Sequence, residues 1–192
     1  MACCYLSPTL NFLMIITIGI PLNQYVYFAI TGFAPMTVAF FITAIIDLMN
    51  INPKNKKIIL ILNWFLCIIS ITTFYYFLLT DITLIGTFIN PYVISFSLFT
   101  QLYIIISLIT FISTGLLFAI SCFKSDNPEI KLKAKLLMVA FISFAIGAIL
   151  SNFVLDILII AIGMMVLAVS AIEFYMGYIL PDWTKKLLLK NK

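Results

Sequence analysis

The charged side chains number seven carboxylates and eleven basic groups, every basic one a lysine, and histidine is absent. Their positions decide what chemistry is open to the chain. An ionisable residue inside a long apolar run is a functional candidate by default, because burying a charge in hydrocarbon is costly. Glu173 meets that description most clearly, about two helical turns (~10 Å by helix rise) inside the last apolar run. Asp47 lies near the end of an earlier run, where it can also reach water. Gln101 heads the neutral polar residues inside the runs, with Asn63, Asn23 and Gln24. Glu173, Gln101 and Asp47 are therefore the candidate functional residues. Asp156 begins the last apolar run, where a carboxylate suits a helix N-terminus.

Other chemistries lack their residues. No two acidic residues share a short motif, so paired-carboxylate acid/base catalysis has no support. A Gly-rich phosphate loop, a GxSxG elbow and a metal-ligand spacing are all missing. Without histidine there is no imidazole ligand or proton relay, and without arginine no forked clamp for phosphate. No apolar run carries a central lysine for a Schiff base. The cysteines, Cys3, Cys4, Cys67 and Cys122, form no CxxC pair. Buried or interfacial thiols are the expectation; Cys3 and Cys4 could instead be acylated, and with no apolar segment before them they are not expected to be a lipoprotein signal. The expectation is of no catalytic residues, no cofactor, no metal and no enzyme activity.

The elements that carry these residues follow from composition. Apolar residues make up 64% of the chain and charged residues 9%, against about 45–50% and about 25% in soluble domains. The reading is an all-α, polytopic transmembrane helix bundle, a single domain over 1–192. A span needs about 20 apolar residues, and the hydropathy predicts six, at 9–30, 34–51, 58–80, 92–123, 134–152 and 156–180. The first is the weakest, since Pro21, Asn23 and Gln24 interrupt it. A Gly32/Pro35 break is taken to separate it from the second. The run 92–123 is longer than one crossing requires, so it should tilt or begin with a turn outside the membrane. Ser125, Asp126 and Asn127 before Pro128 read as a helix start.

Lysines set the orientation. They cluster at 54–57, 124–135 and 185–192 and are missing from the intervening loops. Lysine-rich short loops mark the cytoplasmic side, so six spans put both termini in the cytoplasm of a multi-pass protein of the cell membrane. A five-span count, without the first segment, puts the N-terminus outside. The net charge of +4 is explained by topology and does not point to nucleic acid. The partners expected are the lipid bilayer and, as a candidate, a protein docking on the basic inner loops.

Small residues predict the packing. Ala140, Ser143, Gly147 and Ser151 share one face of the fifth span. Gly163, Val166, Ser170, Glu173 and Gly177 share one arc of the sixth. The two stripes should face each other, because close approach of small residues is what joins helices in lipid. Ser107, Thr110, Thr114 and Ser121 form a hydroxyl stripe on the fourth, also read as packing.

The strings KSDNPEIKLKAKLLMVAFISFAIGAIL and AIEFYMGYILPDWTKKLLLK resemble an uncharacterised group of archaeal multi-span membrane proteins. The likeness is strongest over the last third of the chain and loose back to about residue 25. That architecture is similar in turn to the multi-span sensor region of histidine kinases, here without a kinase. The resemblance implies a sensory or scaffolding membrane protein and supplies no site residues. A small-solute or ion transporter or channel, resting on Glu173 and the polar fourth run, is the alternative. A membrane-embedded enzyme is the second.

Overall fold

The computed structural model describes residues 6–49 and 52–189. Cys3, Cys4, the end of the expected second span and the last three residues lie outside them. The described residues are all-α apart from one β-hairpin, and the chain divides into two compact units, Met1–Phe111 and Ile112–Lys192. The helices wear their apolar side chains outside. Leu79 is 82% exposed and Leu98 76%, while Ser7, Asn11, Thr31, Thr100, Ser170 and Thr184 are buried. Water cannot cover such faces, but lipid can. Among the described residues five helical stretches are long and apolar enough to cross a membrane: Gln24–Leu48, Pro53–Thr80, Leu98–Phe123, Pro128–Phe153 and Ile157–Ile179.

The first unit departs most from expectation. The predicted first span, 9–30, is not one helix. α1 (Leu6–Ile18) stops at Gly19, whose φ of +76° is a left-handed conformation open to glycine. Pro21 then lies between helices, because it cannot donate to a continuing ladder. At ~1.5 Å per residue, α1 is about 20 Å long, short of the ~30 Å hydrocarbon core. α2 (Gln24–Thr31) and α3 (Ala34–Leu48) follow, and together they form one of the five candidate spans. The Gly32/Pro35 signal thus marks an interruption inside a candidate span, not the loop between two. Tyrosines meet the carbonyls released there. Tyr103 donates to the Gly32 oxygen at 2.8 Å and Tyr75 to that of Ala29 at 2.7 Å. Their rings join Tyr27, Phe28, Phe74 and Phe96 in an aromatic core.

α4 (Pro53–Thr80) starts with Asn52 accepting from the Lys54 amide. It begins earlier than the predicted 58, so Lys54, Lys56 and Lys57 are helical. After a 3-10 turn over Ile82–Leu84, the chain forms β1 (Gly86–Asn90) and β2 (Val93–Phe96), an antiparallel pair that the expected 81–91 loop did not include. Asn90 makes the turn by accepting from the amides of Tyr92 and Val93 at 2.9 and 2.8 Å, with Pro91 presetting the backbone. The hairpin takes up residues 93–96 of the predicted fourth span, and α5 (Leu98–Phe123) starts only after it.

The second unit holds the end of α5, then α6 (Pro128–Phe153), α7 (Ile157–Ile179) and the short α8 (Asp182–Leu189). Both expected helix starts are present. Asn127 accepts from the Glu129 amide at 2.9 Å, ahead of Pro128. Asp156 accepts from Leu158 and Ile159 at 2.8 and 3.2 Å. α6 begins six residues before the predicted 134, so its lysines are part of the helix. Leu180, with φ of 49°, ends α7, and Pro181 prevents its continuation into α8.

Candidate functional site: the α6–α7 seam

α6 and α7 meet through the small residues that share a face in the sequence. A methyl group on Gly163 would sit 2.8 Å from the Ser151 nitrogen and 3.1 Å from the Gly147 oxygen. One on Gly147 would lie 3.0 Å from the Gly163 oxygen. The backbones touch here, leaving no room for a side chain. A methyl on Gly177 would meet the Leu137 side chain at 2.8 Å and its backbone nitrogen at 3.2 Å. Further along the seam Phe174 packs edge-on against Phe141, ring centroids 4.8 Å apart. Phe141 in turn fills the space a methyl on Gly115 would need. Ser170 is buried and donates to the Leu167 carbonyl at 2.7 Å, so its polarity is satisfied within its own helix.

Glu173 lies on this seam between Ser170 and Gly177. Its Oε2 is buried and has no hydrogen-bond partner. Lys135, near the start of α6, lies over the Phe123 ring, 5.9 Å from its centre. Lys133 donates to the Tyr178 carbonyl at 3.1 Å, closing the free end of α7. Among the described residues the Glu173 carboxyl oxygen stands alone on the seam. By itself it has no acid/base or nucleophilic partner.

The other two candidates have structural partners. Gln101, one turn into α5, donates its amide to the Phe96 carbonyl at 3.0 Å and ties the helix to the hairpin. Asp47 is exposed and pairs with Lys56 at 2.8 Å, a contact that joins the ends of α3 and α4. Gln101 and Asp47 belong to the first unit and Glu173 to the second. The hydroxyl stripe of α5 is not a packing face throughout. Thr110 and Ser121 are exposed and bond to their own helix, to Ile106 and Phe118.

A polar cluster in the first unit went unrecognised in the sequence. Asn11 and Ser7 are the buried residues of α1. Asn11 donates to the Pro91 carbonyl and accepts from the Leu22 amide, both at 2.8 Å. Ser7 and Thr31 share a hydroxyl bond at 2.9 Å. Gln24 donates to the Gly86 carbonyl at 3.0 Å. An apolar helix with only polar residues buried is held by hydrogen bonds and offers its apolar sides to lipid. The readable signal was the lone Asn in an otherwise apolar run. Among the described residues no three His, Cys, Asp or Glu side chains gather as a metal would require.

Fold and site together define a polytopic α-helical membrane protein. No family model, curated protein or solved structure matches the chain.

Proposed function

We propose that the chain is a non-enzymatic integral membrane protein of sensory or scaffolding type, resident in the cell membrane, with its lysine-bearing ends on the cytoplasmic side and open to a protein partner. One observation carries the reading: polar side chains within the apolar helices are spent on structure. Asn11, Gln24, Gln101, Tyr75 and Tyr103 bond to backbone carbonyls across the first unit. Asn63 does the same from α4 to Ala39 of α3, at 3.1 Å. Such bonds fix helix positions and do not line a path. With five spans, the lysine rule puts the hairpin outside and α8 inside, and the segment before α2 falls on the outer side.

Transport is the second reading, favoured by the interruption at Gly32–Phe33 and the unpartnered Glu173 oxygen. Discontinuous helices mark transporter sites when they occur at matching places in two halves. Here α6 and α7 run unbroken, and tyrosines occupy two carbonyls at the first-unit break. Reconstitution into vesicles loaded with a pH- or potassium-sensitive dye separates the two readings. The scaffold reading expects flux no faster than in empty vesicles. Flux abolished by Glu173→Gln would establish transport and overturn it.

A further inference from the structure

The end of the second unit that carries α8 has an arrangement of charge the functional reading does not use. Four lysines lie at the α5–α6 turn and on the first turns of α6: Lys124, Lys131, Lys133 and Lys135. Lys185 of α8 pairs with Glu129 at 3.2 Å, and the remaining carboxylates at this end, Asp126 in the turn and Asp182 at the start of α8, leave the lysines in excess. Lys133 is engaged by the Tyr178 carbonyl. Lys124 and Lys131 are exposed and make no ion pair among the described residues. Beside them, α8 starts immediately after the left-handed turn at Leu180, with Thr184 buried and Trp183 57% exposed. The first turn of α8 brings Asp182, Trp183, Thr184 and Lys185 together directly after the span. A short helix there, with an outward tryptophan and flanking ammonium groups, fits the headgroup layer.

We infer that this end of the second unit, with Lys124 and Lys131 as its free cations and Trp183 as its anchor, binds anionic phospholipid headgroups in preference to zwitterionic ones. Charge complementarity selects the anion, and the depth selects the lipid. Lys131 lies one turn into a membrane-length helix and Trp183 four residues past the end of another, at the level where phosphates lie. An acidic protein would satisfy the lysines but gives no reason for the exposed indole. This inference stands apart from the scaffold reading and needs only the membrane character of the helices.

The test uses the full chain carrying Trp64→Phe, which leaves Trp183 as the sole tryptophan. It is reconstituted in dioleoylphosphatidylcholine vesicles containing brominated phosphatidylglycerol, and in the reverse combination. Bromine quenching of Trp183 then gives the relative association constant of the two lipids. Juxtamembrane lysines are each worth roughly fivefold in affinity before screening. The expected constant favours phosphatidylglycerol several-fold and falls as salt rises. It should drop towards one in Lys124→Gln/Lys131→Gln and be retained in Lys124→Arg/Lys131→Arg. A constant of one for the unsubstituted lysines, or one unchanged by the glutamine pair, overturns the inference. A constant of one together with a Trp183 response to polyglutamate would overturn it in favour of an acidic protein partner.

Discussion

Gly147→Leu tests the α6–α7 seam. The first added carbon would already lie 2.8 Å from the Leu167 side chain and 3.0 Å from both the Gly163 oxygen and the Leu167 nitrogen. Leu167 Cγ can rotate away, but the two backbone atoms can move only if the helices separate. Three further carbons would then have to enter the widened seam. Overpacking of this kind costs about 1–3 kcal/mol, and the backbone contacts argue for the upper part of that range. Ile149→Leu, two residues on, is the control. Ile149 is 50% exposed on the outer face of the same helix, so an isomeric side chain there should cost less than ~0.5 kcal/mol. Both variants would be unfolded with increasing sodium dodecyl sulfate in dodecylmaltoside micelles, and helicity would be followed. Equal midpoints for the two variants would refute the close-packed seam.

Three further outcomes follow from the geometry. Gly163→Ala should destabilise more than Gly177→Ala in the same assay, because the nearest atom to the first methyl is the Ser151 backbone nitrogen and to the second a Leu137 side-chain tip. Asn11→Leu should raise deuterium exchange at Leu22 and loosen α1 from the hairpin. It removes two bonds at once, a loss on the order of 1–3 kcal/mol for each buried group left unsatisfied. Asp81, outside the spans, has its carboxyl held below the usual range because the hydroxyl and amide of Thr83 donate to it. A folded-state pKa below the unfolded one stabilises above the unfolded value, and that contribution disappears as pH falls through the folded value. Protection of the Thr83 amide, its exchange taken relative to the intrinsic rate at each pH, should therefore fall in acid, and Asp81→Asn should remove that acid limb.

Local signals in the sequence were legible where one residue type decides the geometry. Asn127 before Pro128 and Asp156 before Ile157 cap their helices as read, since a short acceptor next to free amides has one good use. The α6–α7 seam was legible because its small residues recur at steps of three and four over both helices. Hydropathy failed where an average hides a break. Residues 9–30 are apolar enough for a span, yet Gly19 and Pro21 divide them, and Gln24 belongs to the next helix. The hairpin was hidden by the same averaging. Thr87, Phe88, Val93 and Ile94 are good strand formers around an Asn–Pro turn, but the first two read as loop and the last two as apolar continuation into α5. Helix starts were placed too late at α4 and α6, because lysines were taken as loop when their stems can lie along a helix and their ammonium groups reach water. Glu173 was legible as a seam residue. Its missing partner was not, because which side chains reach a carboxyl is settled only in three dimensions.

The most direct test of the account is the sidedness of two positions separated by a single candidate span. Cysteine is placed at Tyr92, on the hairpin turn, or at Lys131, in the first turns of α6, in a background with the native cysteines replaced by serine. Right-side-out vesicles are then treated with a membrane-impermeant maleimide. The account predicts that Tyr92→Cys reacts in intact vesicles and that Lys131→Cys reacts only after permeabilisation. Reaction of both from the same side in intact vesicles would show that α5 does not cross the membrane, and would contradict it.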